Sequence, residues 1–141
     1  MMATRLGSFA LAFVIAGCSD PLSSADPVIQ SGYAALDGAY ATDVKPSDAK
    51  FTQCQYALVG ARHIARCGIS FGGPNLAQLG YWEIERRGDG FTLYAMNGKA
   101  LAALDKIARP GSISNTAHPG AFVSGQGRVP LDVSKAAAAF K

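Results

Sequence analysis

The sequence predicts an α+β domain: a four-stranded antiparallel sheet of two hairpins, packed by helices and followed by a loop-rich C-terminal tail. Three observations lead there. Residues 50–71 hold two alternating polar–apolar runs split by Gly60-Ala61, and residues 79–96 hold two more split around Gly88-Asp89-Gly90. Apolar residues at helical spacing precede and follow this block, and residues 111–130 are rich in Gly, Ser and Pro. Strict alternation is the mark of a half-buried strand, whereas offsets of three, four and seven mark a helix. At 141 residues the chain has room for one such domain and not two.

The first helix begins at Pro27, a residue suited to a first helical position, with Asp26 as its N-cap. Ile29, Tyr33, Leu36 and Tyr40 then form one apolar stripe. Gly32 and Gly38 each weaken this helix by up to about 1 kcal/mol. Residues 42–49, with Pro46, read as a loop.

In the first hairpin, a two-residue loop with Gly first sets Val59 opposite Arg62. Facing residue numbers then sum to 121, so Cys54 meets Cys67. Pair types alternate outward from the turn, which makes this a non-hydrogen-bonded pair with Cα atoms about 4.5 Å apart, within the range a disulfide accepts. The register collects Cys54, Tyr56, Leu58, His63, Ala65, Cys67, Ile69 and Phe71 on one face. Gln53, Gln55, Arg62, Arg66 and Ser70 go to the other.

The second hairpin turns at Gly88-Asp89 or at Asp89-Gly90, and both registers put Trp82, Ile84, Phe91, Leu93 and Ala95 together. Glu83, Glu85 and Thr92 lie opposite, on a face expected to be wet. Asn97-Gly98 leads into a helix over residues 98–108, with Leu101, Leu104, Ile107 and Ala108 as its buried stripe. Arg109-Pro110-Gly111 stops it. A short strand over 121–124 and a short helix over 134–140 complete the chain.

The N-terminus carries an address. Arg5 precedes an apolar run over residues 6–15 that ends at Ala16-Gly17-Cys18. A membrane-spanning helix needs about 20 apolar residues, so the run suits a signal peptide instead. Ile15-Ala16-Gly17-Cys18 resembles the lipobox of bacterial lipoproteins: a branched apolar residue, two small residues that let the backbone enter a membrane peptidase, and a thiol. The resemblance covers only the first 20 residues or so, and it implies cleavage before Cys18 and acylation of its sulfur. Residues 1–17 would then be the signal peptide, 18–26 a lipidated tether and 27–141 the domain. Family behaviour implies three acyl chains, and two already suffice for stable anchoring. Ser19 after the cysteine resembles outer-membrane rather than inner-membrane lipoproteins. Export to an oxidising compartment also favours the Cys54–Cys67 disulfide over a metal or redox pair.

Loss of the first 17 residues removes one of 13 basic side chains and none of the 10 acidic ones, which leaves a net charge of +2. So slight a charge gives no footprint for nucleic acid. Of the two histidines, His63 faces Leu58 within a hairpin and reads as structural, and His118 sits in a loop with serines. Glu83 and Glu85 alternate onto one face about 7 Å apart, close to the separation of a glycosidase pair, yet a solvated face beside a turn leaves neither carboxyl raised. No cofactor or metal site is expected: the Cys and His spacing is not that of zinc, nor are carboxylates clustered as for calcium. Gly72-Gly73-Pro74 lacks the context of a phosphate cradle, and Arg87-Gly88-Asp89 is what a tight turn itself requires.

Arg62, Arg66, Arg86 and Arg87 are the candidate binding face, mildly basic and suited to an anionic partner. The expected function is that of a non-catalytic envelope lipoprotein, anchored to a membrane and binding a protein or wall polymer. One alternative is an inhibitor or immunity protein that presents residues 111–120 against a wall-degrading enzyme or toxin. The other is a wall-sugar hydrolase built on Glu83 and Glu85.

Overall fold

The computed structural model describes residues 21–140, an α+β arrangement around a five-stranded mixed sheet. The expected signal peptide and lipobox lie outside the described residues. A turn of 3-10 helix, Pro21–Ser24, comes first, and Ala25 packs against the core. The Gln30 amide donates to the Ala25 carbonyl at 2.9 Å. Most of the segment expected as a tether therefore lies against the domain.

Helix α1 runs Pro27–Ala39 and opens as expected, with the Asp26 carboxylate accepting the Val28 N–H at 2.7 Å. It widens into a π-type turn, Tyr40–Val44. Ile29, Leu36 and Tyr40 are buried, while half-buried Tyr33 turns its hydroxyl to the Cys54 carbonyl at 2.6 Å. Gly32 sits where α1 touches the sheet. A Cβ there would stand 2.8 Å from Ile84 Cγ2 and 3.1 Å from Phe91 Cγ, so the helix seats closely because that position has no side chain.

Strands β1 (Phe51–Val59) and β2 (Arg62–Ser70) pair in the expected register, Val59 with Arg62 and Cys54 with Cys67. Gly60 adopts φ +63°, the left-handed value that the first position of such a turn demands. The disulfide forms, with Cα atoms 4.0 Å apart. Strands β3 (Ala77–Arg87) and β4 (Gly90–Ala95) turn at Gly88-Asp89, with Gly88 at φ +58°. Opposite Gly68 of β2, β3 carries an extra residue, and Gln78 there takes φ +54°. This is a bulge with glutamine where glycine is usual.

Two features differ from the sequence expectation. Helix α2 (Gly98–Ile107) buries Ala100, Ala103 and Ile107, whereas Leu101 and Leu104 are half-buried and Ala108 is exposed. Close approach decides this. A Cβ on Gly80 would meet the Tyr40 hydroxyl at 2.5 Å and the Ala100 Cα at 3.2 Å, so the helix backbone lies nearly on the strand and only small residues fit beneath. The sheet also gains β5 (Phe122–Ser124), which pairs parallel to β4 after a crossover through α2 and the short helix α3 (Ile113–Ala117). Parallel neighbours need such a crossover. The four-stranded antiparallel sheet is thus the first part of a mixed one.

Helices α1 and α2 cover the face that holds Cys54, Cys67, Ile69, Trp82, Ile84 and Leu93. Trp82 is wholly buried, and its indole N–H donates to the Tyr40 hydroxyl at 3.0 Å. Burial pushes that hydroxyl up to about 12, so it stays protonated. The opposite face is not wet throughout. Ile64 and Tyr81 are buried there beneath Ala136 of α4 (Val133–Ala138), with Leu131, Met96 and Phe140 around them. Among the described residues no helix is long and apolar enough to cross a membrane.

The two glycines of α1 should respond oppositely to alanine. Gly38 has nothing within 4 Å of a built Cβ, so Gly38→Ala should stabilise the protein by roughly 0.5–1 kcal/mol. Gly32→Ala should destabilise it by about 1–3 kcal/mol through overpacking against Ile84 and Phe91, in spite of the better helix former. Urea unfolding of both variants reads the two signs.

Candidate functional site

The outer face of the sheet, away from α1 and α2, carries a ladder of charges that strand alternation begins and the tail completes. Arg62 of β2 and Glu83, Glu85 and Arg87 of β3 share this face by register. After β5 the chain crosses it and brings in Arg128. Arg62 Nε lies 2.6 Å from one oxygen of Glu83, and Arg128 Nη2 lies 2.9 Å from the other. Arg128 Nη2 also reaches Glu85 at 2.5 Å, and Arg87 Nε lies 3.5 Å from Glu85. The Arg128 guanidinium rests 3.8 Å over the Tyr94 ring. Arg62 further donates to the carbonyls of Val129 at 2.9 Å and Pro130 at 3.2 Å, which fastens the tail.

Glu83 was expected on a solvated surface, yet it is only 6% exposed. Burial by itself would raise its pKa; hydrogen bonds from Arg62 and Arg128 and their positive charge outweigh it, so the carboxyl lies below its ordinary value of 4.5. A carboxylate held this way accepts hydrogen bonds and keeps no proton to give. Arg128 bridges Glu83 and Glu85, the pair whose spacing resembled a glycosidase.

At the end of the sheet where both hairpins turn, β2 stops pairing with β3 at His63–Ile84 while β3 continues to Arg87. The strands part there and leave an open cleft of about 300 Å³. Asp26 and Ile29 of α1 form one side, and Arg62, His63, Glu85 and Arg86 line the rest. Asp26 meets Arg86 at 2.5 Å, and Arg86 Nε also donates to the Gly88 carbonyl at 2.9 Å. The Val28 N–H, aided by Arg86, holds the Asp26 carboxyl below its usual range against the opposing effect of desolvation. The Tyr56 hydroxyl, raised by burial, lies 2.5 Å from His63 Nδ1, and the two rings stack.

The four arginines expected to form one basic face are divided. Arg62, Arg66 and Arg87 lie on the outer face, whereas Arg86 pairs with Asp26 beside α1. Arg87 also donates to the Tyr94 hydroxyl at 2.6 Å. Arg66 donates through Nε at 3.2 Å and Nη2 at 2.6 Å to the Gln55 side-chain oxygen. His118 packs its ring against Phe91, 5.4 Å between centroids. In the 111–120 segment Asp43 accepts the Ile113 and Ser114 N–H groups at 3.2 and 3.0 Å, which leaves Ile113 outside and 65% exposed. No cluster of three metal-ligating side chains occurs among the described residues.

Sequence reasoning missed Arg128, the residue that joins two glutamates, one of them buried, into a single network. Alternation signalled that Glu83, Glu85 and Arg62 share a face; nothing local to Arg128 signalled that it would join them. Searches against protein families, curated proteins and solved structures find no match to this chain.

Glu83→Gln should cost on the order of 2 kcal/mol at neutral pH, between the values for exposed and fully buried pairs, because two guanidiniums lose their counter-charge. The folded carboxyl titrates below the unfolded one, so its contribution is fully present above about 4.5 and is lost as pH falls through the lower folded value. Urea midpoints of wild type and Glu83→Gln should therefore converge on acidification.

Proposed function

We propose that this chain is a cell-envelope lipoprotein, anchored through Cys18 on the periplasm-facing side of a bilayer, whose domain binds another macromolecule and performs no covalent chemistry. Ser19 favours the outer membrane. One observation carries the non-catalytic half of this reading: the ionised groups of the charged cleft answer one another. Asp26 is matched by Arg86, Glu83 by Arg62 and Arg128, and Glu85 by Arg128 and Arg87. Acid–base catalysis wants a group poised to exchange a proton near the working pH. Carboxylates fixed by guanidiniums are poor candidates, and His63 Nδ1 already faces Tyr56. The lipid anchor rests on the residue types at 5–18. Only Ser19 and Asp20 separate Cys18 from the Pro21 turn, a reach of roughly 10 Å, so the hairpin-tip end beside Asp26 would sit close to the headgroups.

The inhibitor or immunity reading keeps one observation in its favour, the exposed Ile113 on a short helix pinned by Asp43. A rigid apolar side chain held out from a domain suits insertion into a partner's pocket. Ile113→Asp should then leave stability unchanged and abolish protection of cells challenged with a wall-degrading enzyme; unchanged protection would discard that reading.

The anchor is tested by intact mass. Native protein from the envelope fraction should begin at Cys18 and carry acyl chains, and Cys18→Ala should keep the leader uncut and unacylated. An unmodified thiol on a chain that retains its leader would overturn the proposal.

A further inference from the structure

Most arginines on the sheet are neutralised by a carboxylate: Arg62, Arg86, Arg87 and Arg128 each meet one. Arg66 does not. Its Nε and Nη2 both donate to the neutral Gln55 amide oxygen, and its guanidinium carbon lies 4.7 Å over the Phe140 ring. Neutral partners thus fix the orientation of the group and leave its charge unanswered, and Nη1 makes no hydrogen bond among the described residues.

Arg66 lines an open groove of about 420 Å³ on the outer face, between the first hairpin and the loop that follows it. Gln53, Gln55 and Asn75 supply amides to the groove, and Leu76 and Leu79 supply apolar wall. The groove's shape follows from the bulge in β3. The chain folds down on Gly68 so closely that a Cβ there would stand 2.7 Å from Leu76 Cβ and 2.9 Å from Leu79 Cδ2. That contact sets the leucine wall beside the arginine.

We propose that this groove binds a carboxylate flanked by amide groups, such as the end of a peptide chain or an N-acetylated sugar acid. The guanidinium supplies a charge-assisted hydrogen bond to the carboxylate. The side-chain amides of Gln53 and Asn75 offer both donor and acceptor to the ligand's own amides, Gln55 offers its N–H donors while its oxygen holds Arg66, and the leucines receive the ligand's methyl groups. One cation among neutral amides suits a single negative charge, whereas a polyanion would call for several cations. The inference rests on the domain being a binding module and is independent of the lipid anchor.

The test is a titration of the mature lipidated chain in detergent, followed by calorimetry. The probes are acetyl-trialanine, acetyl-trialanine amide, N-acetylmuramic acid and N-acetylglucosamine. At least one carboxylate should bind, and at least about tenfold more tightly than its uncharged counterpart; the stronger of the two identifies peptide or sugar as the source. Arg66→Lys should lose about tenfold, because a lysine cannot keep the stacked and forked geometry. Asn75→Ala, at an exposed position, should weaken binding with no change in unfolding midpoint. Equal binding of acid and uncharged probe, no saturable binding of either acid, or full affinity in Arg66→Lys would each overturn the proposal. None of these outcomes bears on acylation of Cys18 or on cross-linking to a partner elsewhere on the domain, so the two readings fail separately.

Discussion

Glu83 sits on a strand whose neighbours bury it, and a carboxylate taken out of water must find positive charge or give up its ionisation. It finds two guanidiniums. Arg62 comes from the adjacent strand, whereas Arg128 comes from the tail, and Arg62 also grips the carbonyls of Val129 and Pro130. The pairing of one buried charge thus fastens the tail across this face. Once the tail is drawn across, α4 is delivered over Ile64 and Tyr81, and Phe140 reaches Arg66. A sheet with one wet face becomes a sheet covered on one face and partly on the other, with more apolar area removed from water than the hairpins alone provide.

The other face depends on close approach. Gly32 lets α1 settle on Ile84 and Phe91, and Gly80 lets the backbone at Ala100 lie against β3 beside the Tyr40 hydroxyl. The second contact leads to Trp82, whose N–H is satisfied by that same tyrosine, which burial keeps protonated. On this same face the disulfide fixes β1 to β2 at mid-strand, where Tyr33 of α1 also reaches the Cys54 carbonyl. A domain of modest size gains from such a covalent tie, because it removes freedom from the unfolded chain.

What was legible in the sequence was local. Gly60 stands where a two-residue turn needs a positive φ, and alternation outward from it sets every pair in the first hairpin, including Cys54 with Cys67. In the second hairpin alternation set which residues share a face and left two turns open, of which Gly88-Asp89 forms. The N-cap of α1 was equally plain in Asp26-Pro27. What was hidden depends on partners distant in the chain. The buried face of α2 follows from Gly80, far outside any helical periodicity, which is why alanines rather than leucines point inward. The parallel pairing of β5 rests on three residues after a crossover, and the bulge at Gln78 has no glycine to announce it. The candidate sites divide the same way: the arginines could be named from composition and alternation, but whether each was spent on a carboxylate was settled by chain returning from elsewhere.

That division separates structural charge from available charge. The paired arginines lie toward the hairpin tips, where Asp26 begins α1 eight residues after Cys18. The groove at Arg66 and Gln53 lies at the other half of the first hairpin. Arg66 is four residues from Arg62 along β2, roughly 13 Å at strand rise. On the proposed anchoring, the neutralised network faces the bilayer end and the unanswered guanidinium stands away from it, on the side open to the envelope. An oriented cation next to anionic headgroups would be screened by them and offered only lipid. Set more than one Debye length further along the strand at physiological salt, it is left to discriminate among soluble or wall-borne acids.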